Sequence, residues 1–404
     1  MENLKAVVIA IILIVVIVLL FMFKAEEVSP GITDTEEVTP GVTDTEVLIG
    51  NIQDLSGPMA YLGGELKHGA ELYFRHVNES GGVYGRKIKM ITEDHQYNPA
   101  MSLGAAKKLL DQDGVFCLFN VIGTAPATAL FDLVQEREIP LIAPATNAST
   151  MSNPFKRYVF ATDTPYDAQG RIMSNYIVGR GDTDIKFGAI YQDDDFGKDC
   201  LKGIREGAEA HGIEVVGEEP FQRGGAPEFG PQLTSLREAG ATHIFLALVL
   251  ETVHVLKTAE AMGYSPQFLG FAPASDPKVA QAAGTAAEGF ITNIYMVPPS
   301  HPTHPSAVLY RELLAKYDPE HTPGFYNFYG FAGAQVLAEG LNLAGEDLSR
   351  ERLVSGMEKM KDFKGSPHPS ITYGSIDRAG GTETILLQVT NGAPSPITGF
   401  VGEG

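Results

Sequence analysis

The sequence predicts an α/β fold built as two successive lobes, each a parallel sheet covered by helices. Three observations predict it. At 404 residues the chain is too long for one ordinary core and suggests two or three domains. From residue 47 short apolar runs alternate with segments of helical period, the order expected of parallel strands joined by crossover helices. Near residue 186 that order begins again.

Taken in order, "VLIGNIQ" (47–53) reads as a strand. Leu66, Ala70, Phe74 and Val77 then recur at helical spacing, and "ESGGV" supplies the stop. "KIKMITE" is a strand. In "NPAMSLGAAKKLLDQDG", Asn98 is the N-cap, Pro99 the first helical residue and the final Gly a stop. "VFCLFN" reads as a strand, 125–136 as a helix and "PLIAPA" as a strand. The second series runs "KFGAIYQ" (strand), 197–211 (helix), "IEVVGEE" (strand), "PEFGPQLTSLREAG" (helix), "HIFLALVL" (strand), "ETVHVLKTAEAMGY" (helix) and "PQFLGFAPA" (strand). In open α/β sheets ligands sit beyond the carboxyl ends of the strands, so two such lobes face to face enclose a cleft.

The segment ahead of the fold is of another kind. Residues 6–23, "AVVIAIILIVVIVLLFMF", are uninterruptedly apolar between Lys5 and Lys24. As a helix this run spans roughly 27 Å, close to the hydrocarbon core of a bilayer. Phe23-Lys24-Ala25 is a poor cleavage site and no Cys follows for a lipid anchor. Residues 1–24 are therefore read as an uncleaved anchor in preference to a cleaved signal, which leaves the bulk of the chain outside the cell. A decapeptide repeat follows, "VSPGITDTEE" then "VTPGVTDTEV", and residues 25–46 hold seven acids and no base. Such a segment buries too little to fold and is expected to be a disordered acidic tether.

Composition narrows the partners. The formal net charge of −20, with 44% apolar and 20% charged residues, is globular and argues against nucleic acid and anionic membrane surfaces, since both need basic patches. Contact with the membrane is expected through the N-terminal segment only. Cys117 and Cys200 lie in different halves of the architecture and read as buried thiols rather than a disulfide.

"DLSGPMAYLG", "ESGGVYGRKIKMITEDHQYNP", "PLIAPATNAS", "AIYQDDDFGKD" and "SPQFLGFAPASDPKVAQAAGTAAEGF" resemble the branched-chain amino acid-binding class of ABC-transporter substrate-binding proteins, the type I periplasmic binding fold. The resemblance covers residues from about 46 to about 380 and rests on five motifs in the right order. It implies two Rossmann-like lobes with parallel central sheets joined by a three-strand hinge and closing on a small ligand. The hinge crossings are expected near Tyr166, Tyr295 and Ser370. The N-terminal lobe is then 46–165 plus 296–369, and the C-terminal lobe 166–295 plus 370–404.

In amino-acid-binding relatives the ligand carboxylate lies among small polar residues and backbone N–H groups of the first lobe. The matching positions here are Thr124, Ala145 and Asn147. The residues agree: "VIGTAPAT" sets Thr124 after a strand and before a helix, where free N–H groups favour an anion, although a plain N-cap fits Thr124 equally well. Tyr61 or Leu62 is expected to overhang the cleft, with Ser56 and Gly57 shaping the loop. The second lobe departs from the family. The carboxylate that answers an α-ammonium aligns with Ala272, two site tyrosines align with Phe196 and Leu248, and an acid near the first crossing aligns with Tyr166. A buried ammonium needs a paired anion. Asp276 and Glu251 lie nearby in sequence, and a shifted alignment would restore an acid. "GFYNFYGF" brings Tyr326 to a third side, so that Tyr61, Tyr166, Phe196 and Tyr326 form an aromatic wall, while Phe328 and Phe331 belong to the core.

The resulting expectation is the extracytoplasmic substrate-binding component of an ABC importer, a monomer with a small-molecule ligand and ABC permease subunits as partners. Its ligand is a carboxylate or amide with an apolar or aromatic body. Leu/Ile/Val binding is the alternative, and a membrane-anchored ligand sensor a further one. Only five residues precede the apolar run, too few for a signalling domain. No cofactor, metal or catalytic residue is expected. G-x-S-x-G, a P-loop and H-E-x-x-H are missing from the sequence, His301 and His304 read as solvated surface, and "DDD" (193–195) lacks the spacing of a calcium loop. Of two sequons, Asn78 ends a helix and Asn147 is expected to face the cleft.

Overall fold

The protein is described from a computed structural model at residues 39–223 and 227–403. The expected anchor and most of the expected tether lie outside the described residues. Among the described residues no helix is long and apolar enough to cross a membrane. The last part of the expected tether is folded: Val42 N donates to Thr39 O at 3.1 Å and Leu48 N to Gly41 O at 2.7 Å, so residues 39–45 turn back onto the first strand.

The first sheet holds β1 (Glu46–Gln53), β2 (Lys87–Asp94), β3 (Leu118–Phe119), β4 (Leu141–Ile142) and β5 (Val159–Phe160) in the order β2-β1-β3-β4-β5, all parallel. Its helices are α1 (Ala60–Glu79), α2 (Pro99–Asp111), α3 (Thr124–Thr128) and α4 (Phe131–Glu136). Asn98 caps α2 as expected, accepting from Ala100 N at 2.9 Å and Met101 N at 3.2 Å. Two expected elements are shorter. "VFCLFN" is a regular strand only over Leu118–Phe119, although Phe116 N still donates to Leu48 O at 2.7 Å and Asn120 N to Ile142 O at 3.0 Å before Asn120 turns at φ 53°. The helix expected over 125–136 is broken where Leu130 N bonds Ala127 O, a tightened turn between α3 and α4.

The second sheet runs β12-β11-β10-β9-β8-β6-β7. Here β6 (Lys186–Gln192), β7 (Glu214–Phe221), β8 (His243–Ala247), β9 (Gln267–Gly270) and β10 (Ile291–Ile294) are parallel, with helices α5 (Tyr166–Gly179), α6 (Asp195–His211), α7 (Gly230–Glu238), α8 (Thr252–Ala261) and α9 (Pro277–Ala283) between or beside them. The sequence reading did not foresee the edge: β11 (Thr384–Thr390) and β12 (Ala393–Val401) form a hairpin antiparallel to β10, turning at Asn391-Gly392. Asparagine and glycine take the positive φ such a tight turn demands, 54° and 77°. "DDD" is a capping turn: Asp194 accepts from Gly197 N at the start of α6 and Asp193 pairs with Lys198 at 2.8 Å.

Helices α10 (Pro305–Tyr317), α11 (Phe325–Ala344) and α12 (Arg350–Lys359) return to the first sheet. α11 is buried along nearly its whole length and lies directly against α1, with Phe328 and Phe331 wholly inside, as expected. The approach is close because glycines face backbone on both helices: a Cβ on Gly69 would strike Asn327 O, and one on Gly330 would strike Leu66 O.

The chain passes between the sheets three times: from β5 to α5, from β10 to α10 and from α12 to β11. Ala161 N donates to Arg378 O at 3.1 Å and Val297 N to Pro367 O at 2.9 Å, tying these passages together. A buried polar cluster sits among them. His368 Nε2 lies 2.9 Å from Asp163 Oδ1 and its Nδ1 3.0 Å from Ser366 Oγ, the Tyr329 hydroxyl donates to Asp163, and Tyr295 stacks parallel to the His368 ring. Cys117 and Cys200 are both buried and free, and burial pushes the Cys117 thiol up to about 12. Asn78 is committed to structure, exchanging hydrogen bonds of 2.8 Å with the main chain of Ile88.

Candidate functional site

Between the two sheets lies a cavity of about 50 Å³. The wall from the first sheet is made by turns at the carboxyl ends of β1, β3 and β4. Gly123 at φ 94° lets the chain turn from β3 into α3 and leaves room for the Tyr97 ring, which a Cβ there would meet. Thr124 follows as the first residue of α3, its Oγ1 2.8 Å from Thr146 Oγ1. The first N–H groups of a helix have no intrahelical acceptor and remain available to a ligand. Ala145 and Asn147 come from the turn after β4. Asn147 is 3% exposed, and its amide nitrogen has no hydrogen-bond partner.

Phe196, at the start of α6, Val249 and Pro273 close the cavity from the second sheet, and Phe196 packs edge-on against Tyr166, ring centroids 4.8 Å apart. Tyr295 from the second passage and Phe325, Tyr326 and Tyr329 from the first turns of α11 complete it. Burial pushes the phenols of Tyr166, Tyr295, Tyr326 and Tyr329 well above the ordinary tyrosine range, so all four are neutral. No charged residue lines the cavity among those described. Tyr97 also lines it, and Arg223 lies over that ring, 4.8 Å from the centroid, with Glu251 3.7 Å from its Nε, so the charge behind the ring is that of an ion pair.

The structure thus brings Thr124, Ala145, Asn147, Tyr166, Phe196 and Tyr326 together around one cavity. Three expected positions lie elsewhere. Tyr61 points to the outside, 39% exposed, under the Lys278 ammonium, while its neighbour Leu62 takes the wall. Leu248 faces the other side of its strand and is buried with Ile190, Leu246 and Phe268, so Val249 faces the cavity. Ala272 is enclosed within the core and Pro273 reaches the surface of the cavity instead. In each of the last two cases the lining falls one residue later, because chain direction changes where a strand ends. Met59, Tyr97, Tyr295, Phe325 and Tyr329 were missed: only Tyr295 carried a signal, its place at an expected crossing. Neither nearby acid lines the cavity. Glu251 is 3.7 Å from Arg223 Nε and accepts from Val249 N. Asp276 caps α9 through Lys278 N at 2.8 Å; burial raises its carboxyl, and Oδ2 is buried without a partner.

Four contacts hold the walls together. Ser149 N donates to Asp199 Oδ2 at 2.7 Å and the Tyr326 hydroxyl to Pro273 O at 2.9 Å. Lys278 covers the Tyr61 ring at 4.0 Å, and Arg223 covers Tyr97. Each joins a residue packed with the first sheet to one packed with the second.

A family profile described as periplasmic binding protein matches residues 46–394. The "Leu/Ile/Val-binding protein homolog 2" of Brucella abortus is 24% identical over 323 residues, 79% of this chain and 84% of that protein. Among solved structures, a branched chain amino acid ABC transporter protein from Thermus thermophilus with bound valine superposes with a TM-score of 0.82 at 22% identity, over 89% of this chain and 97% of that one. A fatty acid ABC transporter substrate-binding protein from Thermomonospora curvata gives 0.80 at 22% identity, over 90% and 94%. This fold is the type I periplasmic binding fold expected from the sequence. With its two sheets, its cleft and a family match across most of its length, the chain belongs to the periplasmic binding protein family, whose members bind substrates for transport rather than catalyse reactions.

Proposed function

We propose that this chain captures a small carboxylate or amide with an apolar or aromatic body and delivers it to the permease subunits of an ABC importer. The observation that carries this reading is the Asn147 amide nitrogen, a buried donor with no partner, in a wall where none of the described residues is charged. A buried donor left unpaired costs about 1–3 kcal/mol, which a carboxylate or carbonyl oxygen on the ligand relieves. Thr124 and the first N–H groups of α3 stand beside it. Phe196, Tyr166, Tyr326 and Phe325 suit an apolar or aromatic body. Among the described residues the lining offers no carboxylate to a desolvated α-ammonium, only aromatic rings and neutral oxygens. Thr124, Ala145, Asn147, Tyr166, Phe196 and Tyr326 are accordingly the proposed ligand contacts. The lobes move as 46–165 plus 296–369 against 166–295 plus 370–404, and the apolar run at 6–23 keeps this monomeric clamp beside its permease at high effective concentration.

A second reading has one observation in its favour. The Oδ2 of Asp276 is buried without a partner, and its charge is felt at the Tyr326 phenol, so a different closure would let it meet an ammonium. The relative from Brucella abortus carries a Leu/Ile/Val-binding name, and the Thermus thermophilus protein holds valine. Native mass spectrometry of the protein purified without denaturation separates the two. The expected result is a released acid or amide without an α-amine; release of leucine, isoleucine or valine establishes the second reading instead.

A further inference from the structure

We propose that His68, Asp318 and His321 form a binding site for one divalent transition ion of the zinc class, apart from the ligand cavity. His68 lies on α1, and Asp318 and His321 on the turn between α10 and α11. His68 Nε2 is 3.1 Å from Asp318 Oδ2, and His321 Nδ1 is 3.6 Å from the same oxygen. One ligand atom from each residue falls within 4.8 Å of the others. Neighbouring ligand atoms of a tetrahedral zinc site stand roughly 3.3 Å apart, so small adjustments close this set around an ion.

The surroundings of the two imidazoles are those of a metal site. Glu65 lies one turn before His68 on the same face of α1, and its Oε2 is 2.9 Å from His321 Nε2. A carboxylate that accepts from Nε2–H fixes the tautomer, leaving the lone pair on Nδ1, the nitrogen that faces Asp318. On the other ring, Asn327 Nδ2 is 2.7 Å from His68 Nδ1, while Asn327 Oδ1 is buried without a partner. Turning that amide lets Oδ1 accept from Nδ1–H and frees the Nε2 lone pair for the ion, at the cost of the 3.2 Å hydrogen bond that Asn327 Nδ2 now donates to Glu65 O, so Asn327 must also shift away from that carbonyl. The two rings stack 4.4 Å apart, 17° from parallel. Stacked rings cannot aim both lone pairs at one point, so binding must also turn one imidazole about its Cβ–Cγ bond. The half-exposed setting of all three side chains permits that movement. Two nitrogens and a carboxylate oxygen favour zinc, copper or nickel over magnesium or calcium, which prefer oxygen alone. An ion here would pin α1 to residues 318–321, just ahead of the start of α11 that carries Phe325 and Tyr326 into the cavity wall.

The test is zinc titration of the chelator-stripped full chain by calorimetry, with magnesium as the control ion. One equivalent of zinc is expected to bind and magnesium not at all. His321→Gln and Asp318→Asn should each weaken zinc binding about tenfold or more, and H68Q/H321Q should abolish it. Far-ultraviolet circular dichroism checks that each variant is folded. Cobalt, used in place of zinc, should give the visible absorption of a nitrogen-and-oxygen site, lost in H68Q/H321Q. His301→Gln, at the other histidine pair, should bind as the parent does. Absence of zinc binding, or binding unchanged in H68Q/H321Q, overturns the proposal.

Discussion

Gly69→Ala is expected to destabilise the protein by about 3 kcal/mol, toward the upper end of what overpacking costs. The methyl group would occupy the position of the Asn327 carbonyl oxygen, and neither partner can yield. Gly69 lies mid-way along α1, and Asn327 in the first turn of α11, so relief requires moving one whole helix. Gly330 repeats the constraint one turn along, against Leu66 O. Because α11 also carries Phe325, Tyr326 and Tyr329, any shift that accommodates the methyl group moves a wall of the cavity. Gly69→Ala and Gly330→Ala should therefore both lower the urea midpoint and weaken ligand binding. Gly64→Ala is the control. It lies on the same helix with open space where its Cβ would go, and should stabilise the protein by about 0.5–1 kcal/mol through helix propensity alone. Equal effects at 64 and 69 would show that the close approach of the helices is not what glycine serves there.

Asp163→Ala should cost about 3–5 kcal/mol, the range for removing one partner from a buried pair. Asp163 and His368 have side chains only 1% exposed each. The carboxylate holds the Tyr329 hydroxyl as well as the imidazole, so its loss leaves two buried polar groups without an acceptor. These residues come from the first passage between the sheets, the third passage and α11, which makes the cluster a fastening of the hinge to the cavity wall. Asp163→Asn keeps an acceptor and should lose less than half as much, while Asp163→Ala should also weaken ligand binding through Tyr329. Chemical denaturation together with a binding isotherm reads both effects, and an Asp163→Ala protein as stable as its parent would remove the cluster from the account.

Most of the strand and helix order was legible because each element carried its own local signal. Asn98 and Pro99 mark a helix start, and "KFGAIYQ" is a strand with the bounds found for β6. The hairpin of β11 and β12 was not read, since its order is set by pairing with β10, nearly a hundred residues earlier. The strand "VFCLFN" reads as six residues but is regular over two; its C-terminal limit is set by Asn120, which turns at φ 53° where the cavity begins. The site divided in the same way. Positions on turns that follow a strand, Thr124, Ala145 and Asn147, keep their place relative to the strand and line the cavity. On the second side alignment named Leu248 and Ala272, yet Val249 and Pro273 line the cavity: one residue of phase decides which side chain points inward, and nothing in the sequence sets that phase. Tyr97 and Tyr329 gave no signal, because only tertiary packing brings them to the cleft. The same holds for His68, which lies about 250 residues before Asp318 and His321 in the chain.

Among the described residues no acid lines the cavity, and one pair of ligands isolates the effect of that on specificity. Leucine and 4-methylpentanoate share carboxylate and side chain and differ in the α-ammonium. Calorimetric titration of the unfolded-and-refolded, ligand-free protein with each compares them directly. The predicted result is that 4-methylpentanoate binds about tenfold or more tightly than leucine, since each tenfold step in affinity is about 1.4 kcal/mol and an unanswered buried ammonium costs at least that. Leucine binding tenfold more tightly than 4-methylpentanoate would contradict the account, because it requires an anion in the closed cleft that meets the ammonium.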